Sequence, residues 1–327
     1  MAIRIGIIGA GGIGIKHLND LKTIGRTEIK AICDIDEQKA KSAQETFGGE
    51  TYLDFIKMLD AQALDAVLIC TPQTVRYAPI KEAAVRGIPI FCEKPPAFSL
   101  DDARRVEQVL KEAPVINSAG FMWRYNRIMD RAKDLIKGHT VSLMRSALLC
   151  DAALNPSLPR WFLLKERSGG PLLDQAIHLL DASRYILGDI AYVQSFGNNL
   201  VLPKTGEVTV EDSHSLNLRF ASGTIGNHLH SWSHRGWVAR IELYGNDIAL
   251  TLDYAANSIY GNIKETRVQE KMSDDPYITE LERFLDAVER KDQTILRSPY
   301  ADAVKTLAVA IAANKSFGTG MVEQIVT

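Results

Sequence analysis

Ile3-Arg4-Ile5-Gly6-Ile7-Ile8-Gly9-Ala10-Gly11-Gly12-Ile13-Gly14 is the stretch on which the fold turns. A short apolar run reads as a strand, the glycines follow at G-x-G-x-x-G spacing, and a helical pattern opens directly after them. Glycines in such a turn let the backbone approach a pyrophosphate. The first N–H groups of the helix, at the positive end of its dipole, then stabilise the phosphate charge. Gly9, Gly11, Gly12, Ile13 and Gly14 are therefore predicted to cradle a dinucleotide. The next apolar run, Ile29 to Cys33, delivers Asp34, 25 positions after Gly9. A carboxylate there accepts hydrogen bonds from the adenosine ribose hydroxyls, which favours NAD. NADP is disfavoured, because its 2′-phosphate would meet a like charge and no Arg follows immediately. Asp36 is expected to cap the following helix instead.

Outward from this turn, β-rich runs alternate with helical patterns as far as Gly120. Strands are expected at Ile3 to Ile8, Ile29 to Cys33, Ala66 to Cys70, Ile88 to Cys92 and Val115 to Ala119, with a weak one near Thr51. Helices are expected at Asp36 to Phe47, Val75 to Arg86 and Leu100 to Lys111, the last capped by Ser99. Strands that are apolar throughout suit a parallel sheet covered on both faces. After Phe121 the pattern changes to apolar and polar residues in alternation. Strands are expected at Tyr192 to Leu200, His214 to Phe220, Thr224 to Trp232, Ala239 to Tyr244 and Ile248 to Leu252, flanked by helices at Pro171 to Leu187, Pro276 to Arg290 and Ala301 to Phe317. The fold class is α/β: a doubly wound parallel sheet over residues 1–121, then an α+β domain with a largely antiparallel sheet over residues 122–327.

The length of 327 residues allows two cores of ordinary size. With 38 Lys and Arg against 40 Asp and Glu there is no overall basic field for nucleic acid or anionic lipid, so a small molecule is the expected partner. Cys33, Cys70, Cys92 and Cys150 are scattered, with no C-x-x-C pair, which reads as reduced thiols in the cytoplasm. No stretch approaches the roughly 20 apolar residues that span a bilayer, and neither export nor membrane insertion is expected.

The run ending at Cys92 is followed by Glu93-Lys94-Pro95, which puts a lysine at the carboxyl edge of the parallel sheet, where open α/β folds bind ligands. Farther on, Gly169-Gly170 precede Pro171, a residue suited to the first helical position. Asp174 then falls in the first turn, with His178 at i+4 and Asp181 on the same face. Together with Thr71-Pro72 and Gly120-Phe121-Met122-Trp123-Arg124-Tyr125, these motifs stand in an order and spacing that resembles the glucose-fructose oxidoreductase, inositol dehydrogenase and rhizopine-catabolism (Gfo/Idh/MocA) family over essentially the whole chain.

The resemblance implies a Rossmann domain followed by a substrate domain whose open sheet forms a homodimer or homotetramer interface, and a cis Lys94–Pro95 bond. It implies an oxidoreductase that moves a hydride between NAD(H) and a carbinol or carbonyl carbon of a sugar, polyol or cyclitol. Thr71, Pro72, Glu93 and Lys94 join the cofactor set. His178 is implied as general acid/base, Asp174 as the carboxylate that positions it or binds substrate, and Lys94 as the group that stabilises the reacting oxygen. Arg124, Tyr125 and Trp161 complete the substrate-binding set with Lys94, Asp174 and His178. His214, His228, His230 and His234 read as a polar sheet face or lining of the substrate domain, with no metal. Relatives that act as non-catalytic dinucleotide-binding regulators, or as NAD-dependent glycosidases, define the alternatives. Two positions depart from the pattern: Arg76 stands where many members carry His, which alters contacts near the cofactor, and Arg127 stands where many carry Pro, at the entry to the substrate domain.

Overall fold

The structure is a computed structural model that describes residues 2–203 and 205–326. Its first part runs β1 (Ile3–Ile8), α1 (Gly12–Ile24), β2 (Thr27–Cys33), α2 (Glu37–Phe47), β3 (Glu50–Tyr52), α3 (Phe55–Ala61), β4 (Ala66–Ile69), α4 (Tyr77–Val85), β5 (Ile90–Cys92), α5 (Leu100–Glu112) and β6 (Asn117–Ala119). The six strands form one parallel sheet in the order β3-β2-β1-β4-β5-β6, the doubly wound arrangement expected. Asp36 caps α2 and Ser99 caps α5, each side chain accepting from backbone N–H groups of the first turn. Gly25 closes α1 in the left-handed conformation, φ 73°, that a glycine adopts without strain. The helix expected from Val75 to Arg86 is instead broken: a 3₁₀ turn, Gln73–Val75, precedes α4, with Arg76 at the joint.

The chain continues through α6 (Arg127–Ile136), β7 (Leu143–Leu149), α7 (Lys165–Ser168), α8 (Ile177–Leu187), β8 (Ile190–Asn198), β9 (Ser213–Phe220), β10 (Ile225–Ser231), β11 (Val238–Tyr244), β12 (Ile248–Asp253), β13 (Ser258–Ile263), β14 (Thr266–Lys271), α9 (Pro276–Arg290), α10 (Tyr300–Thr319) and β15 (Glu323–Gln324). The second sheet has nine strands in the order β14-β13-β12-β11-β7-β10-β9-β8-β15, antiparallel except where β7 and β10 run together. β7 escaped the sequence reading because Ser146 and Ala147 are both buried, which erases the alternation of a half-exposed strand.

Two compact units result: Met1–Tyr125 with Asp275–Val304, and Asn126–Asp274 with Lys305–Thr327. This corrects the division at residue 121, which put everything after it in the second domain. The reason is burial. Leu281, Phe284 and Leu285 on α9 are fully buried in the core that holds Ile5, Ile7 and Phe91 of the parallel sheet and Leu18 and Leu21 of α1. Each such side chain contributes about 1.5–3 kcal/mol, enough to decide where an amphipathic helix packs.

Candidate active site

In the first unit the glycine turn has the geometry its sequence asks for. Gly9 has φ 101°, and a Cβ there would stand 2.8 Å from the Cys70 carbonyl. At Gly14 a Cβ would stand 2.1 Å from the Gly9 carbonyl oxygen, so only glycine lets α1 begin this close to β1. Gly11 and Gly12 face open space. Gly11 is the N-cap of α1 and offers no side chain to the first-turn N–H groups, and no acidic residue lies in that turn. The positive end of a 13-residue helix is thus unneutralised and accessible, which fits a diphosphate.

Asp34 follows β2 and is held by two backbone donors: the Ala10 N–H reaches Oδ2 at 2.8 Å and the Asp36 N–H reaches Oδ1 at 2.9 Å. Each oxygen keeps acceptor capacity for a ribose hydroxyl. Ile35 beside it is 93% exposed, an apolar surface that the sequence reading did not single out.

Lys94 follows β5, and the Lys94–Pro95 bond is cis, as the resemblance implied. The residues around it are packed inside the unit. Glu93, expected in the cofactor set, is 4% exposed, and its carboxylate accepts from His17 of α1 and from the Lys94 N–H. Burial pushes the Glu93 carboxyl up, yet the His17 hydrogen bond, with the Lys94 and Arg76 charges, outweighs burial and holds it below the usual range. Arg76, also buried, donates to three backbone carbonyls, those of Thr71, Glu93 and Pro95. His17 is the residue the motifs did not point to, and Arg76, noted only as a departure, proves to hold this turn. The available signal was a histidine on the face of α1 that also carries Gly14, Leu18 and Leu21, spaced for burial.

Arg124 and Tyr125, expected to bind substrate, both make polar contacts inside the first unit. Arg124, 2% exposed, pairs with Asp302 at 2.6 Å and donates to the Arg297 carbonyl at 2.6 Å. The Tyr125 hydroxyl accepts from the Arg297 N–H at 2.9 Å and lies 3.3 Å from the Ser298 hydroxyl. Both side chains secure the 297–302 segment within the first unit.

In the second unit the Gly169-Gly170 turn is held by Asn314, whose amide donates to the Gly169 carbonyl, and by Ser168, whose hydroxyl accepts from the Gly170 N–H. The expected single helix starts as a π-helical turn, Leu172–Ala176, before α8. That wider turn carries Asp174, which is partly exposed, and leads into His178 in the first turn of α8. Such turns recur at functional sites. Gln175 next to Asp174 accepts from the Trp232 indole and the Cys150 thiol. Asp181 accepts from the Thr306 hydroxyl at 2.8 Å. Trp161 lies in a 3₁₀ turn, partly exposed and stacked on Phe162 with ring centroids 3.9 Å apart.

His228 and His230 share the buried face of β10, as read from the sequence, and His230 stands opposite His214 on β9. Burial, with His214 nearby, holds His228 down to about 3, and burial together with His228, His214 and His178 holds His230 well below the ordinary histidine value. His234 lies beyond the strand and is exposed. Among the described residues no group of three or more His, Cys, Asp or Glu side chains is arranged to hold a metal ion. Arg127, the second departure, donates its backbone N–H to Asp274 at 2.9 Å, a bond that proline cannot make.

Comparison with known proteins agrees with this geometry. Residues 3–121 match the family model described as an oxidoreductase family with an NAD-binding Rossmann fold, and residues 140–251 match the GFO/IDH/MocA C-terminal domain. Myo-inositol 2-dehydrogenase of Thermotoga maritima is 31% identical over 81% of this chain and 77% of its own. The scyllo-inositol 2-dehydrogenase (NAD(+)) of Bacillus subtilis is 28% identical over 99% of this chain and 96% of its own. The crystal structure of myo-inositol 2-dehydrogenase from Lactobacillus plantarum has the same fold, with a TM-score of 0.85 at 22% identity, covering 100% of both chains.

Proposed function

The chain belongs to the GFO/IDH/MocA oxidoreductase family, and from that premise we propose that Lys94, Asp174 and His178 carry its NAD-dependent exchange of hydride with a carbinol or carbonyl carbon of a sugar, polyol or cyclitol. Bound NAD supplies the two-electron acceptor. The glycine turn and the start of α1 hold its diphosphate, Asp34 its adenosine ribose, and Ile35 offers an apolar surface to the adenine. His178 takes the hydroxyl proton as the alcohol is oxidised and returns it in the reverse direction. Asp174, borne on the π turn, orients the imidazole or a neighbouring substrate hydroxyl. Lys94 donates to the reacting oxygen and stabilises the negative charge that develops on it. The observation that best supports this reading is the π turn at Leu172–Ala176, which sets an acid and a histidine on consecutive turns after the Gly169-Gly170 turn.

The names of the 31% and 28% identical relatives make a cyclitol the first substrate to assay. Trp161 and Phe162 offer a stacked aromatic face suited to the C–H face of a ring. The exposed apolar side chains Leu143, Ile225, Leu229 and Tyr244 lie on the adjacent central strands β7, β10 and β11, and this face is the surface through which we expect a homodimer or homotetramer to form. Four buried free thiols suit a reducing cytoplasm, and no helix among the described residues is long and apolar enough to cross a membrane.

The test is an absorbance assay for NADH with a panel of inositols, aldoses and polyols, using NAD and NADP separately. Lys94→Ala and His178→Ala are expected to lower turnover by roughly 10²–10⁴-fold while NAD binding is retained. Wild-type turnover in the Lys94→Ala, His178→Ala double variant would overturn the assignment. A regulator would show NAD binding with no turnover on any substrate, and a glycosidase would cleave glycosides with no net NADH.

A further inference from the structure

Arg76, a departure from the resemblance, lies in the first unit, and its surroundings are unusual for a charged group. The guanidinium is 4% exposed, and among the described residues its hydrogen bonds go to backbone carbonyls rather than to a carboxylate. Four of its five N–H donors are used on backbone carbonyls. Nε and Nη2 both reach the Thr71 carbonyl, at 2.9 and 2.7 Å, and Nη1 reaches the carbonyls of Glu93 and Pro95. Glu93 and Pro95 are the residues on either side of Lys94. One planar fork thus grips the turn that carries the lysine from both flanks and ties it to the loop after β4.

A buried cation loses its hydration, which the fold offsets here with hydrogen bonds to these carbonyls and with the nearby Glu93 charge. The rigid, always-charged guanidinium suits such a task; an ammonium lacks the fork. We infer that Arg76 is a positioning residue for the reaction: it fixes the backbone on both sides of Lys94, and through it the direction in which the ammonium meets the reacting oxygen. Glu93 contributes from the same turn, since its carboxylate holds the Lys94 N–H at 3.0 Å while His17 anchors it from α1. The inference rests on the proposal that Lys94 acts on the reacting oxygen.

The test is a double-variant cycle with Arg76→Ala, Lys94→Ala and both together, assayed for kcat and for the KM of NAD. Arg76→Ala is expected to lower kcat by about 10–100-fold, the scale of an ångström's misplacement, with the KM of NAD changed less than about threefold. Free guanidinium at non-denaturing concentration should restore part of that loss. In the Lys94→Ala background the further effect of Arg76→Ala should fall to about one. Equal losses in both backgrounds would show that Arg76 supports only the fold, and overturn the inference. Should Arg76→Ala fail to fold, Arg76→Lys serves instead: it keeps the charge without the fork, and a wild-type kcat in that variant would also overturn it. The two readings fail separately. A harmless Lys94→Ala defeats the role of the lysine, whereas a crippled Lys94→Ala beside a harmless Arg76→Ala defeats only the positioning role.

Discussion

His17 Nε2 stands 2.6 Å from Glu93 Oε1, and both side chains are buried. The pair joins α1, which opens on the glycine turn, to the turn that bears Lys94. Removing one partner of a buried pair leaves the other without compensation, at a cost of about 3–5 kcal/mol. Glu93→Ala is therefore expected to lower the unfolding free energy measured by urea titration at neutral pH by about that much, and Glu93→Gln, which keeps an acceptor, by clearly less. Because the folded carboxyl sits below its ordinary value of 4.5, the stability it contributes is present above that value and lost as the pH falls through the folded one. Equal losses for the two substitutions would contradict this account.

The glycine turn separates fold from binding. At Gly14 a Cβ would meet the Gly9 carbonyl oxygen at 2.1 Å, so Gly14→Ala must shift backbone and should cost about 1–3 kcal/mol. Gly12 has nothing within 4 Å of a Cβ, so Gly12→Ala should leave thermal stability unchanged and weaken only NAD binding. Thermal unfolding with and without NAD distinguishes them.

Asp34 sets the nucleotide preference through a carboxylate already oriented by the Ala10 and Asp36 N–H groups. Asp34→Ala removes charge-assisted hydrogen bonds worth about 1.5–3 kcal/mol, so the KM of NAD should rise about tenfold or more. The penalty against NADP should shrink at the same time. If NADP already turns over much faster than NAD in the wild type, Asp34 does not play this part.

The buried histidines predict an acid sensitivity distinct from that of carboxylates. His228 is held down to about 3 by burial and His214, and His230 is lowered further by burial and by His228, His214 and His178. Below the ordinary value of 6.5 the unfolded chain takes up protons that the folded chain refuses. Stability should therefore fall from pH 6.5 towards 3, by up to about 1.4 kcal/mol per pH unit for each histidine. His228→Gln, which does not titrate and can still meet the Ser146 hydroxyl, should flatten the decline in melting temperature between about pH 6.5 and 5. Glu93 and Glu211, both lowered from 4.5, act only below that window.

Local chemistry was legible in the sequence. The glycine turn, the caps at Asp36 and Ser99, and the change from continuous apolar strands to alternating ones each depend on neighbours a few residues apart, and each appears in the structure. The candidate site was legible only as motifs. Glu93, Arg124 and Tyr125 matched motif positions, but their polar groups proved to be engaged inside the fold, and Arg76 read as a mere departure.

What the sequence determined by itself, then, is the order of elements and the chemical groups at their ends, because hydrogen-bonding geometry and side-chain periodicity act over one or two turns. What only the tertiary structure decided is which buried group answers which: the return of α9 to the first core, the fork of Arg76 across residues 17 and 19 positions away, and the hold of Arg124 on a carbonyl 173 positions on. A buried donor must find an acceptor wherever the chain brings one, and that choice is made by packing across distant segments.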